Sequence, residues 1–192
     1  MHGSTLRHSS KHLRHGLRQN GRVRYLTICR HAKAEKPTAK HSDFDRKLSE
    51  RGRRQCEQLR EWASEPNELG AFGPTTALVS AAARTKETFR RAFDGTTFVT
   101  SHVYSELIYN GLREVTAEDL LIDLASVDPV TTSLLVVAHN PTVLELVWTL
   151  VEDVPAPLRE GFPVGAACVL AIPESQQIGL RHYDLVARYI PD

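Results

Sequence analysis

The sequence predicts an α/β fold of the three-layer α/β/α type with a mostly parallel central sheet. Three observations lead there. Short apolar runs of strand length stand at residues 23–29, 76–80 and 134–138. The last of these, Leu-Leu-Val-Val-Ala, is continuous enough for a strand buried on both faces. Strand-like and helix-like segments also alternate along most of the chain, the pattern of a parallel sheet covered by helices on both sides.

The elements follow in order. Residues 23–29 form a first strand, and a polar loop containing Pro37 comes next. Ser49 is placed to cap a helix that runs to about Ser64 with Leu59 and Trp62 on its apolar side. Pro66, Gly70, Gly73 and Pro74 mark a loop. A short strand at 76–80 leads into a helix at 81–92, and 98–108 is mixed and partly extended. Thr116-Ala117-Glu118-Asp119 has the pattern of a capping box and opens a helix at 117–126. After the strand at 134–138, Asn140-Pro141 supplies a cap and a proline at the first helical position. The helix at 142–151 is apolar nearly all round, so Trp148 reads as core. Pro155, Pro157 and Pro163 mark a loop, and strands at 167–172 and 180–186 end the chain. They follow each other closely, so one of them is expected to run antiparallel at an edge.

The domain reading is a basic, disordered tail at 1–22 and one globular domain at 23–192. The first acidic residue is Glu35, while Arg7, Lys11, Arg14, Arg18 and Arg22 all precede the first strand. His8 and His12 stand four apart, a spacing that can hold a metal, but a solvated tail is the favoured reading. The acid-free, Arg- and Ser-rich start also has the composition of an organelle transit peptide. Leu6, Leu13 and Leu17, however, give it only a sparse apolar face. A net charge of +1 gives no reason to expect nucleic acid as a partner. No apolar run approaches the roughly 18 residues of a membrane span, and no secretory signal is expected. Cys29, Cys56 and Cys168 form neither a disulfide framework nor a zinc pattern, which fits a reducing, cytoplasmic setting. A monomer is expected.

In open α/β sheets, ligands bind beyond the carboxyl ends of the strands. Arg30 and His31 follow the first strand there, Ser80 ends the second with Arg84 one helical turn on, and His139 and Asn140 follow the Leu-Leu-Val-Val-Ala strand. Two arginines and two histidines on one sheet edge point to phosphoryl transfer, where catalysis is mostly positioning and charge stabilisation. Arginine's planar fork binds two phosphoryl oxygens at once. Ser80 and Asn140 each precede a helix whose backbone N–H groups can face an anion. Histidine suits a nucleophile because its neutral ring is available near pH 7. No nucleotide phosphate loop is present, and the Cys-x5-Arg register of a cysteine phosphatase holds Glu35 instead of arginine. No metal and no cofactor is expected.

These residues sit in four segments that resemble the histidine phosphatase superfamily, and within it the small SixA branch of phosphohistidine phosphatases. The segments are Leu26-Thr27-Ile28-Cys29-Arg30-His31-Ala32-Lys33-Ala34, Arg46-Lys47-Leu48-Ser49-Glu50-Arg51-Gly52, Ser80-Ala81-Ala82-Ala83-Arg84-Thr85-Lys86-Glu87-Thr88 and Val137-Ala138-His139-Asn140-Pro141. The resemblance runs from about Val23 to the C-terminus and implies a phosphoglycerate-mutase-like fold. It implies that His31 attacks phosphorus, that Arg30 and Arg84 bind the phosphoryl oxygens, and that His139 stabilises their charge. Ser80 and Asn140 add substrate contacts. Ala138 replaces the glycine usual before the second histidine. The family's proton donor has no clear motif here: Glu106 is the first candidate by position and Glu114 the second. Lys33 reads as a solvated loop lysine more than as a substrate contact. Arg46 either supports the pocket or pairs with a carboxylate, and Cys29 reads as a buried strand thiol.

The expected function is a metal-independent phosphatase acting through a phosphohistidine intermediate, with phosphohistidine in proteins as substrate. A phosphomonoesterase for a small metabolite is the alternative, and a non-catalytic phosphate-binding module the third reading.

Overall fold

The computed structural model describes residues 23–39, 42–64, 72–73, 75–111, 113–127, 133–174 and 176–191. The tail at 1–22, with its histidines, lies outside them. Six strands form one sheet: β1 (Val23–Arg30), β2 (Thr75–Ser80), β3 (Val99–Ser105), β4 (Ser133–Ala138), β5 (Ala167–Pro173) and β6 (Asp184–Tyr189), in the order β3-β2-β4-β1-β5-β6. The helices are α1 (Glu50–Ser64), α2 (Ala83–Ala92), α3 (Ala117–Val127), α4 (Thr142–Leu150) and the single turn α5 (Ala156–Arg159). Among the described residues, no helix is long and apolar enough to cross a membrane.

Alternation along the buried strands divides the core into two layers. Leu26, Ile28, Leu134 and Val136 pack with Leu120 and Leu124 of α3 and Leu146 and Leu150 of α4. Cys29, Leu135 and Val137 face the other way, onto Cys56 and Leu59 of α1, Phe89 of α2 and Phe93 just after it. Helices thus cover both faces, the three-layer arrangement expected.

β1, β2, β3 and β4 are mutually parallel, so their carboxyl ends meet at one edge. The ladder continues past the strand ends: His31 N–H donates to the Ala138 carbonyl (3.1 Å) and Ala81 N–H to that of Ser105 (2.8 Å). These bonds fix the exit points from which the chain's candidate site residues project.

Two expectations about the last strands need correcting. β5 is the antiparallel strand, but it lies inside the sheet, between β1 and β6, and β6 forms the edge. The short β5–β6 connection makes them antiparallel neighbours, while β5 itself is inserted alongside β1. The final strand also begins at Asp184, not near Leu180, which is largely exposed.

Local capping follows the sequence closely at two helices. Ser49 Oγ accepts from Gly52 N–H (3.1 Å) and also donates to the Lys33 carbonyl (3.0 Å). Thr116 and Asp119 form a reciprocal box: Asp119 N–H donates to Thr116 Oγ1 (3.2 Å) and Thr116 N–H to Asp119 Oδ2 (3.0 Å). Gly52 is required by a close approach, since a Cβ there would stand 2.0 Å from the Lys33 carbonyl oxygen. Trp148 departs from the reading as core: it is 50% exposed on the outer side of α4.

Candidate active site

The carboxyl edge of the parallel strands carries a pocket of about 240 Å³, lined by Arg30, His31, Lys33, Ala34, Arg46, Arg84, His139, Asn140 and Val164. Its walls come from the ends of β1 and β4, the second residue of α2 and the loops before α1 and β5.

His31 is buried, and its Nδ1 lies 2.8 Å from the Ala32 carbonyl oxygen. A carbonyl only accepts, so Nδ1 carries the proton and Nε2 keeps its lone pair. Burial pushes the imidazole pKa down to about 3, and the cationic Arg84 and Arg30 add to that, against the opposing effect of the Ala32 hydrogen bond. His31 is therefore neutral at pH 7. His139 is also buried, its Nε2 2.8 Å from Ser80 Oγ. Burial, with help from His31 and Arg84, holds its pKa well below the ordinary imidazole value. The two rings lie 5.1 Å apart, centroid to centroid.

The arginines are anchored from behind. Arg30 Nη1 donates to the Phe162 carbonyl (2.9 Å). Arg84 donates through Nη1 to the Asp43 carbonyl (2.6 Å) and through Nη2 to Asp43 Oδ2 (2.9 Å). Asp43 Oδ2 also accepts from the Tyr109 hydroxyl (2.9 Å), and Oδ1 accepts from Arg46 Nη2 (2.7 Å) and Nε (3.1 Å). Partial burial works to raise the Asp43 pKa, but the Tyr109 bond and the charges of Arg84 and Arg46 outweigh it and hold it at about 2. Among the described residues, the buried Nε of Arg30, Nε of Arg84 and Nδ1 of His139 have no hydrogen-bond partner. Buried polar atoms without a partner are uncommon; these three belong to residues that line the pocket, while others lie elsewhere, on Thr27, Thr75 and Asp123.

No family model and no curated protein sequence matches the chain. Solved structures do. One similar structure is that of a SixA phosphohistidine phosphatase from Nakamurella multipartitia, 25% identical with a TM-score of 0.68, covering 88% of this chain and 96% of that one. Another is its namesake from Agrobacterium tumefaciens, at 27% identity and a TM-score of 0.67, covering 88% and 99%. The chain is thus similar over most of its length to SixA phosphohistidine phosphatases. The same fold is seen in the protein histidine phosphatase SixA complexed with tungstate, with a TM-score of 0.65 at 20% identity over 85% of this chain and 95% of that one.

In this SixA-like chain, Arg30, His31, Arg84, His139 and Asn140 meet at the pocket, while three sequence expectations find other placements. Ser80 is fully buried and turned to His139, not to the pocket. The backbone donors that follow it are also engaged: Ala81 N–H by the Ser105 carbonyl and Ala83 N–H by that of Phe44 (2.9 Å). The α2 terminus therefore presents Arg84 but not these two N–H groups. Asn140 does not cap α4. Its Nδ2 donates to the Gly161 carbonyl (2.7 Å), and Pro141 occupies the cap position without a side-chain bond. Glu106 and Glu114 are both exposed and neither lines the pocket, because the turn after β3 carries them outward. The carboxylate that holds Arg84 and Arg46 is Asp43, which does not itself line the pocket and which the sequence reading missed. Its one sequence signal is its position three residues before Arg46, in Asp43-Phe44-Asp45 of the β1–α1 loop. Arg46 both lines the pocket and pairs with that carboxylate.

The depressed His31 pKa sets an expectation for pH. The unfolded chain titrates this histidine near 6.5 and the folded chain near 3. Between those values the unfolded state binds a proton that the native state does not, so the stability contribution is complete above about pH 6.5 and is lost as pH falls toward 3. For activity, the neutral ring persists through this range. After correction for the substrate's own titration, kcat/KM should show no acid limb near 6.5. A limb centred there in the pH–rate profile would contradict the buried geometry.

Proposed function

We propose that the protein is a phosphatase for phosphohistidine in proteins, acting through a transient phosphohistidine on His31. His31 Nε2 attacks phosphorus, the bond to the substrate's imidazole breaks, and that imidazole leaves with the bonding pair and takes its proton from water. Arg30 and Arg84 bind the phosphoryl oxygens, and His139 faces the charge that develops on them. Water then attacks phosphorus on His31, releasing inorganic phosphate and the free ring.

The observation that carries the choice of substrate is the state of the carboxylates. Asp43 is held ionised, with its pKa at about 2, and Glu106 and Glu114 lie outside the pocket. An alkoxide leaving group needs a proton from a placed acid, an effect worth on the order of 10²–10⁴ in rate. The imidazole of phosphohistidine leaves without one. A site rich in fixed cations, with no protonated carboxyl among the described residues that line it, therefore favours the phosphoramidate bond over the ester. The modest size of the pocket supports the second reading, a phosphomonoesterase for a small metabolite.

A panel of substrates tests the two against each other. Phosphohistidine protein should be turned over with a kcat/KM at least about 10²-fold above p-nitrophenyl phosphate and small alkyl phosphates. An alkyl phosphate outrunning phosphohistidine protein would overturn the proposal in favour of the ester reading.

A further inference from the structure

The cations around the pocket exceed what one phosphoryl group uses. Arg30, Lys33, Arg46 and Arg84 all line it. Asp43 compensates for part of this charge, through its contacts with Arg46 and Arg84, and a phosphoryl dianion compensates for two more charges. One positive charge is left over, and the side chains assign it to Lys33. Arg46 is already held by Asp43 and, through Nη1, by the Glu35 carbonyl (3.0 Å). The Lys33 ammonium has no ion-pair or hydrogen-bond partner among the described residues.

The base of Lys33 is nonetheless tightly fixed. Its N–H donates to Gln55 Oε1 (2.9 Å). Its carbonyl accepts from Ser49 N–H (2.9 Å) and from Ser49 Oγ (3.0 Å). Gly52 lies so close to that carbonyl that no side chain fits between them. The backbone contacts fix where the side chain leaves the pocket wall, and the uncommitted ammonium on its flexible stem can reach an anion beside the phosphoryl position.

We infer that Lys33 forms a second anion subsite, which reads a negatively charged group next to the phosphoryl group of the substrate. This rests on the proposed function and sharpens it: the preferred phosphohistidine has an acidic residue beside it. The ammonium is exposed, so the discrimination is modest, about fivefold, and falls with added salt.

The test has two arms, both on the full chain. The first measures competitive inhibition by inorganic pyrophosphate and by inorganic phosphate, which differ in a second adjacent anion. The wild type should favour pyrophosphate, K33R should keep the preference, K33Q should lose most of it and K33E should abolish it. The same pyrophosphate-to-phosphate ratio in K33E as in the wild type overturns the subsite. The second arm compares two phosphohistidine peptides that differ only by Asp or Asn beside the phosphohistidine. A kcat/KM preference of about fivefold for the Asp peptide, reversed in K33E, supports subsite and substrate together. If neither peptide is turned over while the pyrophosphate ratio still depends on Lys33, the subsite stands and the phosphohistidine reading falls.

Discussion

Replacing His31 by alanine is expected to lower kcat by about 10⁴-fold or more, with the fold intact. The size follows from how the ring is held. Nδ1 is committed to the Ala32 carbonyl at 2.8 Å, which fixes the tautomer and leaves on Nε2 the lone pair that the proposed attack uses. Burial keeps the ring neutral far below pH 7, so essentially all of the enzyme carries a reactive lone pair. The other imidazole at the pocket, His139, is held by Ser80 through Nε2 (2.8 Å) and is assigned to stabilising charge on the phosphoryl oxygens. Alanine thus removes the atom proposed to form the covalent intermediate. Initial rates with phosphohistidine protein, alongside thermal melting to show that the variant folds, check this. Turnover by the alanine variant within tenfold of the wild type would contradict the assigned nucleophile.

Arg84→Ala should be the next most damaging change, lowering kcat/KM by about 10²–10³-fold, the usual cost of one preorganised donor to a developing negative charge. Arg84 is buried at the start of α2, and both terminal nitrogens are gripped by Asp43. The guanidinium is therefore aimed before any substrate arrives. Arg84→Lys should recover little, because an ammonium has no planar fork to match two phosphoryl oxygens while keeping Asp43. Steady-state kinetics of both variants test this. Full activity in Arg84→Lys would show that charge alone, not the held geometry, is what the position supplies.

Several of these features can be read from sequence because they are local. The run that became β4 is apolar on both faces and that of β1 mostly apolar, so their burial is written in composition. The carboxyl-edge rule then places Arg30, His31 and His139 without any side-chain detail. The Ser49 cap and the Thr116–Asp119 box are equally local, decided within three residues. What stayed hidden depends on distant partners. Asp43 reads as an ordinary loop acid until the β1–α1 loop folds over α2 and sets it against Arg84, 41 positions on, and Tyr109, 66 positions on. Ser80 looks like a phosphate contact beside a helix start, but the long-range approach of β4 turns its hydroxyl to His139 instead. The insertion of β5 inside the sheet is likewise a matter of pairing partners, which strand composition does not encode. Trp148 shows the limit of periodicity from the other side, since an all-apolar helix still presents one flank to solvent.

The central claim, that His31 carries the phosphoryl group, is tested most directly by rapid-quench trapping. Wild-type protein is mixed with radiolabelled phosphohistidine protein, quenched in base within the first turnover and digested for mass spectrometry. The account predicts an acid-labile, base-stable label on the peptide that contains Arg30-His31, formed and lost at rates compatible with turnover. Steady hydrolysis with the label on another residue, or with no phosphoenzyme at any quench time, would contradict it.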